Sequence, residues 1–457
     1  MIKSIFTLLC LFLLSISAIN AQIWKAQNPA FPKPTQGWRI TMVDEKVAWT
    51  FGYTLDSMIP AGEFDWTEND YSFSRTIDGG NLWTTGKFPD GVSGFLSNLA
   101  AVSANEAWLS YNDYDDGSKI FHTTDGGVTW NEPSLIVDSW VNAIHFFDSK
   151  NGVILADPIG ATYTIFTTQD GGTNWRQVDS AKIPVILDTD EAGMTASFAE
   201  IGNKIWFSTT NNRIYYSKDK GLTWAVWESP KNARGDGHQL EVDDNDNVYF
   251  SYTISGDSTT NFTDSFMLYR RGGIEPAWTN ITPVDHENYI IGLSRIPGTP
   301  SIIMNISVIN ETRLSTDKGV SWKTIDTSFN KGYIEFFNPK AGYSCEMPKD
   351  YDHPSKNVFR YIGSPLTGIL NPGIVDFSLT MSPNPFADRL EIKLKSPNAE
   401  DYWILINDIQ GKLIQKIEVN RTKEHIEIID TKNLNSGTYI ITVSNSSGML
   451  AEKLIKL

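Results

Sequence analysis

Five copies of one short motif constrain the fold of this chain more than any other feature. The motif reads Thr/Ser-x-Asp-x-Gly-x-x-Trp, and its copies contribute Asp78, Gly80, Trp83; Asp125, Gly127, Trp130; Asp170, Gly172, Trp175; Asp219, Gly221, Trp224; and Asp317, Gly319, Trp322. Successive motif aspartates lie 47, 45, 49 and 98 residues apart, and 98 is twice 49. A sixth repeat is therefore expected in the last interval, where the segment from Tyr269 to Gly273 and then Trp278 form the remnant of its motif. A period of about 40–50 residues with four short strands is typical of a β-propeller, so the chain is predicted to be all-β.

The residue types of the motif are those of a tight turn. Asp is short enough to accept hydrogen bonds from backbone N–H groups one and two residues ahead, and glycine adopts the positive φ that closes a hairpin. The Trp that follows begins the next strand and packs a large apolar surface between repeats. The motif resembles the Asp-box, or BNR repeat, of sialidase-like and related propellers. In that family it is structural, so the resemblance implies that the five aspartates serve the fold and not catalysis.

The strand pattern predicts the number of blades. A last copy after the fifth motif, from Tyr333 to Ile362, supplies three strands but no Trp, whereas Ile23, Trp24 and Lys25 resemble the strand that follows the motif elsewhere. We therefore predict a seven-bladed β-propeller with four-stranded blades, in which residues near 22–28 complete the last blade and leave no free sheet edge.

The layout of residues 22–365 resembles the propeller of photosystem II stability/assembly-factor-like proteins. The resemblance rests on the motif series and on the phrase that contains Phe147, Asp148, Gly152 and the run Ala156-Asp157-Pro158. The photosynthetic members of that family bind a membrane protein through an arginine-rich patch. The arginines of this chain are scattered along the sequence, so the resemblance implies the fold and not that function.

Both ends of the chain predict export. Residues 1–21 read as a signal peptide, since Lys3 precedes a short apolar run and a small residue, Ala21, precedes Gln22. Residues 22–365 are assigned to the propeller, the turn-rich residues 366–376 to a linker, and residues 377–457 to a small antiparallel β-sandwich built of short alternating strands.

Residues 377–457 carry a Pro-Asn-Pro-Phe opening at 383–386, a turn at Gly411 and Lys412, a strand around Tyr439 and a basic apolar tail. These features resemble the type A sorting domain of type IX secretion substrates in Bacteroidetes-like bacteria. The resemblance implies that the type IX secretion machinery is a partner, and that the chain passes through the periplasm and is then secreted or attached to the outer-membrane surface. An ordinary fibronectin-like adhesive module is the alternative.

Composition excludes several kinds of partner. The net charge of −16 argues against nucleic acid, whose phosphates would be repelled. No second apolar stretch approaches the about 20 residues that a membrane span needs. Cleavage of the signal peptide leaves Cys345 as the remaining cysteine, which excludes an internal disulfide and favours a small buried side chain at that position. A monomer is expected.

Candidate ligand residues lie on loops that lead into the innermost strands or connect the second strand to the third, because these loops share the propeller face where ligands usually bind. The candidates are Trp38, Trp140, Asp157, Glu191, His238, Tyr289 and Tyr333. Aromatic side chains beside acids could stack on sugars or hold a peptide. The competing interpretation is that these aromatics pack between blades.

No cofactor is predicted. The acidic loops at residues 112–116 and 243–247 carry oxygen ligands of the kind that calcium prefers, but neither has the bidentate Glu of an EF-hand. The six histidines lack metal-ligand spacing, which argues against zinc.

Two functions remain open on the sequence. The first is a secreted or surface-displayed binding module without catalysis, and the alternative is a sialidase- or glucanase-like glycoside hydrolase. The sequence Arg295-Ile-Pro resembles the Arg-Ile-Pro motif of sialidases, but it lies in a late repeat and not ahead of the first Asp-box. A glycosidase needs two carboxylates about 5–9.5 Å apart, for which Asp157 and Glu191 are candidates by loop position alone, and no catalytic residue is assigned. A carboxylate pair in the central channel would favour hydrolysis, whereas Ser, Thr and aliphatic side chains there would favour binding.

Overall fold

The structure is a computed structural model that describes residues 22–32, 35–54, 71–88, 94–113, 117–230, 238–254, 265–272, 277–283, 290–306, 309–347, 357–366, 378–408, 413–444 and 449–457. The described residues form 33 β-strands and one short 3-10 helix, Ser180–Lys182. Backbone contacts divide the chain into two units, residues 1–367 and 368–457. The signal peptide expected at residues 1–21 lies outside the described residues, and so does nearly all of the expected linker.

Six of the seven sheets in the first unit are each made of four consecutive antiparallel strands, and we number them as blades in chain order. Blades 1 to 3 consist of β2 (Thr35–Met42), β3 (Ala48–Thr54), β4 (Tyr71–Thr76) and β5 (Thr84–Lys87); β6 (Phe95–Ala101), β7 (Ala107–Asp113), β8 (Gly117–Thr123) and β9 (Asn131–Val137); and β10 (Val141–Phe146), β11 (Gly152–Ile159), β12 (Thr162–Thr168) and β13 (Arg176–Gln177).

Blades 4 to 6 repeat the same order from the innermost strand outward. They consist of β14 (Gly193–Ile201), β15 (Lys204–Thr209), β16 (Arg213–Ser217) and β17 (Ala225–Glu228); β18 (Gln239–Val242), β19 (Val248–Ile254), β20 (Ser265–Arg271) and β21 (Thr279–Asn280); and β22 (Ile290–Arg295), β23 (Ile302–Ile306), β24 (Glu311–Ser315) and β25 (Lys323–Asp326).

Blade 7 combines the two ends of the propeller. Its inner three strands are β26 (Lys331–Asn338), β27 (Ala341–Glu346) and β28 (Val358–Tyr361), and its outer strand is β1 (Trp24–Gln27). Strand β1 pairs antiparallel with β28, with Trp24 opposite Tyr361 and Gln27 opposite Val358. The predicted seven-bladed propeller, in which residues near 22–28 complete the last blade, is therefore confirmed.

Apolar side chains pack between neighbouring blades, which is why the blades cannot be stable one at a time. One buried cluster joins Trp49 and Phe73 of blade 1 to Leu99 and Leu109 of blade 2. Another joins Ile303 of blade 6 to Phe336 and Trp24 in blade 7. The core is thus a chain of inter-blade layers around the ring.

The motif tryptophans contact the preceding blade. Trp130 packs against Phe73 and Phe88 of blade 1, with ring centroids 5.9 and 5.6 Å away. Trp278, in the repeat with the degraded motif, packs near Phe250 and donates from Nε1 to the backbone oxygen of Glu228 in blade 4 at 2.8 Å. The degraded repeat therefore keeps the inter-blade contact of the others.

The second unit is one five-stranded antiparallel sheet. Its strands are β29 (Ser378–Ser382), β30 (Arg389–Asp408), β31 (Leu413–Asp430), β32 (Gly437–Ser444) and β33 (Met449–Lys456), in the order β29-β30-β32-β33 with β31 on β30. The pairing of the long strands β30 and β31 shifts register between Lys395 and Tyr402. Both halves of β30 contribute to one buried cluster, through Leu390, Ile392, Ile404 and Ile406. The expected sandwich is thus formed by a single sheet that curls around its own core.

None of the residues that the structure describes forms a helix with the length and apolar character needed to cross a lipid bilayer.

Replacing Trp24 with Ala tests how much the closing strand stabilises the ring. Trp24 is fully buried, and its ring lies 5.4 Å from that of Tyr361 and 6.0 Å from that of Phe336. The substitution should lower the free energy of unfolding by about 3–5 kcal/mol, as for other large-to-small changes at buried aromatic residues. Urea unfolding followed by tryptophan fluorescence measures the change. Lys25→Ala, an exposed position on the same strand, is the matched control, and an equal loss in both variants would contradict this account.

Candidate functional site: the central channel

The innermost strands of all seven blades surround a cavity of about 590 Å³ on the propeller axis. Side chains alternate along a strand, so every second residue of an inner strand faces the axis. The cavity is lined by charged and aromatic residues as well as aliphatic ones, among them Arg39, His145, Phe198, Glu200, Glu241, Arg295, Tyr333 and Glu335. Its volume falls within the range of small-molecule sites in proteins.

Three glutamates from three blades meet in the cavity. Arg295 of blade 6 places one guanidinium nitrogen 3.9 Å from Glu200 of blade 4 and another 3.8 Å from Glu241 of blade 5. The same guanidinium donates to the backbone oxygen of Glu200 at 2.7 Å. Glu335 of blade 7 accepts a hydrogen bond from the backbone N–H of Met42 in blade 1 at 3.0 Å. These contacts connect the inner strands through charged groups instead of apolar packing.

Burial controls the protonation of two of these acids: Glu241, which lies beside β22, and Glu335, which lies beside β2. Loss of hydration raises the pKa of Glu241 to about 7, although the nearby Arg295 opposes the shift. Loss of hydration also raises the pKa of Glu335 to about 8, and the negative charges of Glu200 and Glu241 add to that effect. Both side chains therefore hold a proton for part of the time near neutral pH. Burial lowers the pKa of His145, which keeps its imidazole neutral there.

The side chain of Arg39 crosses one end of the cavity. Its guanidinium reaches from blade 1 across the ring and donates to the backbone oxygen of Ala196 in blade 4. It also lies over the rings of Tyr333, at 5.0 Å, and Phe198, at 5.8 Å. Ala196 has a φ of 61° at a register shift in β14, a left-handed conformation that turns its carbonyl toward Arg39.

The other end of the cavity lies on the face that carries the Asp-boxes. The lining residues at that end stand at or just beyond the ends of the inner strands, and include Val43, Val102, Ser149, Gly202, Pro297 and Phe337. The turns after the inner strands are bonded to the Asp-box turns: Gly79 donates to the oxygen of Lys46 at 2.9 Å, and Gly126 to that of Asn105 at 2.8 Å. Both sets of turns thus share one face, which is opposite to the face that the sequence indicated for ligands.

The Asp-box aspartates bind their own turns. Asp78 accepts from the backbone N–H groups of Asn81 and Leu82 at 2.9 and 3.0 Å, and from the hydroxyl of Thr76. The accepted N–H groups thus lie three and four residues ahead, not one and two as expected. Gly127 in the second motif combines a φ of 81° with close contact to Phe73, so no side chain fits there.

Two of the predicted ligand residues form one polar network between blades 3 and 4. Trp140 donates from Nε1 to the hydroxyl of Thr195 at 2.9 Å, and that hydroxyl donates to Asn142 at 3.0 Å. Asn142 and the backbone N–H of Gly193 both donate to the carboxylate of Asp157 at 2.7 Å. Burial raises the pKa of Asp157. The network joins two blades, and it contains no second carboxylate.

The remaining predicted residues do not converge with that network. Glu191 is buried and paired with Arg213 at 3.1 Å, and His238 is buried beside Ser208 at 3.3 Å. Tyr333 alone among the candidates lines the central cavity, under Arg39. The side chain of Trp38 and the whole of Tyr289 lie outside the described residues. Burial raises the pKa of Tyr163, and the charges of Glu191 and Asp157 both add to that effect. A role of the two acids as a glycosidase carboxylate pair stays a prediction.

Sequence reasoning missed the charged residues of the channel, apart from noting the Arg295 phrase. A usable signal existed, because Phe198 and Glu200, and likewise Tyr333 and Glu335, stand two residues apart and so share one face of a strand. Only the ring, however, brings the alternate residues of seven separate strands to one axis.

The acidic loop at residues 243–247 is a turn held by its own side chains. Asp243 accepts from the backbone N–H groups of Asn245 and Asn247 at 2.8 and 3.0 Å and from the hydroxyl of Tyr249 at 3.1 Å, while Asp246 pairs with Lys204. The loop at residues 112–116 falls partly outside the described residues. Across the described ranges, no three acidic, His or Cys side chains are grouped closely enough to hold a metal ion.

Replacing Asp125 with Asn tests the contribution of an Asp-box carboxylate. Hydrogen bonds from the hydroxyl and the backbone N–H of Thr129 lower the pKa of Asp125 to about 2, from 3.8. A pKa that is lower in the folded state stabilises the fold above pH 3.8, and this stabilisation is lost as the pH falls toward 2. Asp125→Asn should therefore be less stable at neutral pH and lose less stability on acidification. Thermal unfolding across that range measures both effects, and Asp138→Asn, at an exposed turn residue, should behave like the wild type.

Replacing Glu335 with Gln tests the acid cluster in the opposite direction. Its pKa is higher in the folded state, about 8 against an ordinary 4.5, so its contribution is complete below pH 4.5 and is lost as the pH rises to 8. Glu335→Gln should melt at a higher temperature than the wild type above pH 8 and at a similar temperature near pH 5. Glu228→Gln, on the exposed outer strand of blade 4, is the control. A wild type whose stability did not fall over this range would contradict the account.

Comparison with known proteins agrees with this architecture. Residues 380–457 match the secretion system C-terminal sorting domain. The chain is also 24% identical over 287 residues to the xyloglucanase Xgh74A of Acetivibrio thermocellus, an alignment that covers 58% of this chain and 30% of that enzyme. The chain thus spans less than a third of its curated relative.

The propeller is similar in structure to YCF48. A YCF48 structure bound to D1 peptide matches with a TM-score of 0.53 at 15% identity, covering 76% of this chain and 98% of that one. YCF48 from Cyanidioschyzon merolae matches with a TM-score of 0.51 at 13% identity, covering 75% and 99%. Identities this low show the fold alone, and at that level the expected resemblance to photosystem II assembly factors is confirmed. The chain is therefore an Asp-box β-propeller with a C-terminal sorting domain through which the type IX secretion system exports it to the cell surface or the extracellular space.

Proposed function

We propose that the exported propeller is a binding module without catalysis, and that its ligand occupies the central cavity from the Asp-box face. The observation that carries this proposal is the cavity itself, which all seven inner strands line and to which six of them contribute charged or aromatic side chains. Arg39 spans the opposite end by its hydrogen bond to Ala196, and a ligand that enters from the Asp-box face can contact several blades at once. A concave site with a few convergent polar groups is the usual form of a ligand site.

The arrangement of Arg295 argues against hydrolysis at this site. A glycosidase leaves the space between its two carboxylates to the scissile bond and, in inverting enzymes, to a water molecule. Here the guanidinium of Arg295 bridges Glu200 and Glu241, at 3.9 and 3.8 Å, and is held by the backbone oxygen of Glu200 as well. The two carboxylates therefore orient the guanidinium of Arg295, and this arrangement suits ligand recognition better than proton transfer to a sugar.

A glycoside hydrolase acting on extracellular glycans is the second candidate, and two observations favour it. Carboxylates do occupy the channel, which is the outcome that the sequence analysis associated with hydrolysis. Glu335 holds its proton to about pH 8, as a general acid must, and other carboxylates stand nearby. The similarity to a xyloglucanase points the same way, but it covers only part of that enzyme.

One experiment separates the two candidates. The purified mature chain is applied to glycan and peptide arrays, and in parallel to xyloglucan with a reducing-end assay. We expect no release of reducing ends. Glu241→Gln should weaken binding by at least about tenfold, the effect of one lost charge-assisted contact, and Phe337→Ala should weaken it through the loss of an aromatic contact.

Trp140→Ala is the matched control, because Trp140 belongs to the network between blades 3 and 4 and not to the cavity. It should bind as the wild type does. Release of reducing ends that Glu335→Gln abolishes would establish the hydrolase instead. If Trp140→Ala abolishes binding and the cavity variants do not, the ligand binds on the face that the sequence indicated.

A further inference from the structure

The charges of the cavity do not balance. Of the four carboxylates that line it, Asp148 is paired with Lys220 at 2.7 Å, and the other three, those of Glu200, Glu241 and Glu335, face two guanidinium groups. Arg39 donates a hydrogen bond to the backbone oxygen of Ala196 at the end away from the Asp-boxes, and Arg295 contacts both Glu200 and Glu241. Glu335 has no ion-pair partner among the described residues, and its one hydrogen bond, from Met42, engages a single carboxylate oxygen. The second oxygen of Glu335 is free to accept.

His145 supplies a second polar group without a partner. Its ring touches those of Phe147 and Phe198, at 4.8 and 6.2 Å, and neither ring nitrogen makes a hydrogen bond to any residue that the structure describes. Because its imidazole is neutral, one nitrogen can accept and the other can donate. The open part of the cavity thus presents unused acceptors from two blades.

Aromatic rings line the same space. Phe147, Phe198, Tyr333 and Phe337 are lining residues, and Phe337 at the open end is 40% exposed. Two of these rings already hold a cation, since the guanidinium of Arg39 lies over Tyr333 and Phe198. Aromatic faces next to carboxylates are the usual surroundings of a bound organic ammonium group.

We infer that the open part of the cavity binds an alkylammonium group, with Glu335 as its carboxylate partner and the phenylalanine rings as its walls. This inference rests on the proposed binding function and names the chemistry of the ligand. A bare metal ion fits less well, because no three metal-ligating side chains are grouped within the described residues. A primary amine of a free polyamine and a lysine side chain share this chemistry, and the experiment below distinguishes them.

Binding of a cation should release protons. Both Glu241 and Glu335 are partly protonated near neutral pH, because burial raises their pKa values to about 7 and about 8. A bound ammonium favours the charged form of each acid, so affinity should rise with pH across these two values. The other titratable or charged groups that face or influence the acids are Arg39, His145, Glu200, Asp244, Arg295, Tyr333 and Cys345.

Isothermal titration calorimetry of the mature chain tests this inference with two probes, spermidine and the peptide acetyl-Gly-Lys-Gly-amide. The norleucine analogue of the peptide, which lacks the ammonium, is the ligand control. Titration in two buffers with different ionisation enthalpies gives the number of protons released. We expect binding of at least one probe, release of protons near neutral pH, and tighter binding at pH 8 than at pH 6. Preference for the peptide would identify a polypeptide ligand, and preference for spermidine a free polyamine.

Variants locate the binding. Glu335→Gln should weaken binding by about tenfold, as expected for one lost charge-assisted hydrogen bond, and should also reduce the proton release. Glu200→Gln, which removes a negative charge from the same cavity, should weaken binding as well. Glu228→Gln, outside the cavity, should bind as the wild type does. The inference is overturned if neither probe binds, if the norleucine peptide binds equally well, or if the glutamine variants bind unchanged. Glycan binding without ammonium binding would overturn this inference alone, whereas hydrolysis of xyloglucan would overturn the proposed function.

Discussion

The pairing of β1 with β28 supports every other feature of the propeller. Each blade buries its apolar faces against two neighbours, so an open ring would leave one face of blade 1 and one face of blade 7 in water and a free strand edge beside them. The four residues of β1, Trp24–Gln27, prevent this by completing the last sheet. The large aromatic surface of Trp24 gives that short strand enough apolar contact to remain bound.

A closed ring fixes the distance between inner strands that are far apart in sequence. This rigidity lets Arg39 bond to Ala196 across the axis and lets Arg295 contact acids from two blades. Charged groups are costly to bury, and the raised pKa values of Glu241 and Glu335 are the direct expression of that cost. A chain that needed only a stable ring would fill its axis with Val and Leu. The charged groups remain on the axis although their burial costs free energy, and this is the physical reason for proposing a binding site there.

The two faces of the propeller differ in how they use polar side chains. On one face, Asp157 and Trp140 are joined through Asn142 and Thr195, and these polar groups connect blade 3 to blade 4. On the other, the Asp-box carboxylates satisfy the N–H groups of their own turns and bring those turns against the turns that follow the inner strands. The cavity opens on this second face, and its open end is bordered by exposed Phe337.

The sequence by itself determined the all-β class, the number of blades, the closing strand and the sorting domain. All four follow from local information: a motif of fixed turn chemistry, its spacing, strand alternation, and a C-terminal segment with its own recognisable pattern. The position of the candidate site was decided only by the tertiary structure. Glu200, Glu241, Arg295 and Glu335 occur singly in strands 40 to 54 residues apart, and nothing local indicates that they meet. Long-range burial brings them to one axis, and the low polarity of that axis then sets their protonation, so neither their contacts nor their charges could be inferred before the ring was closed.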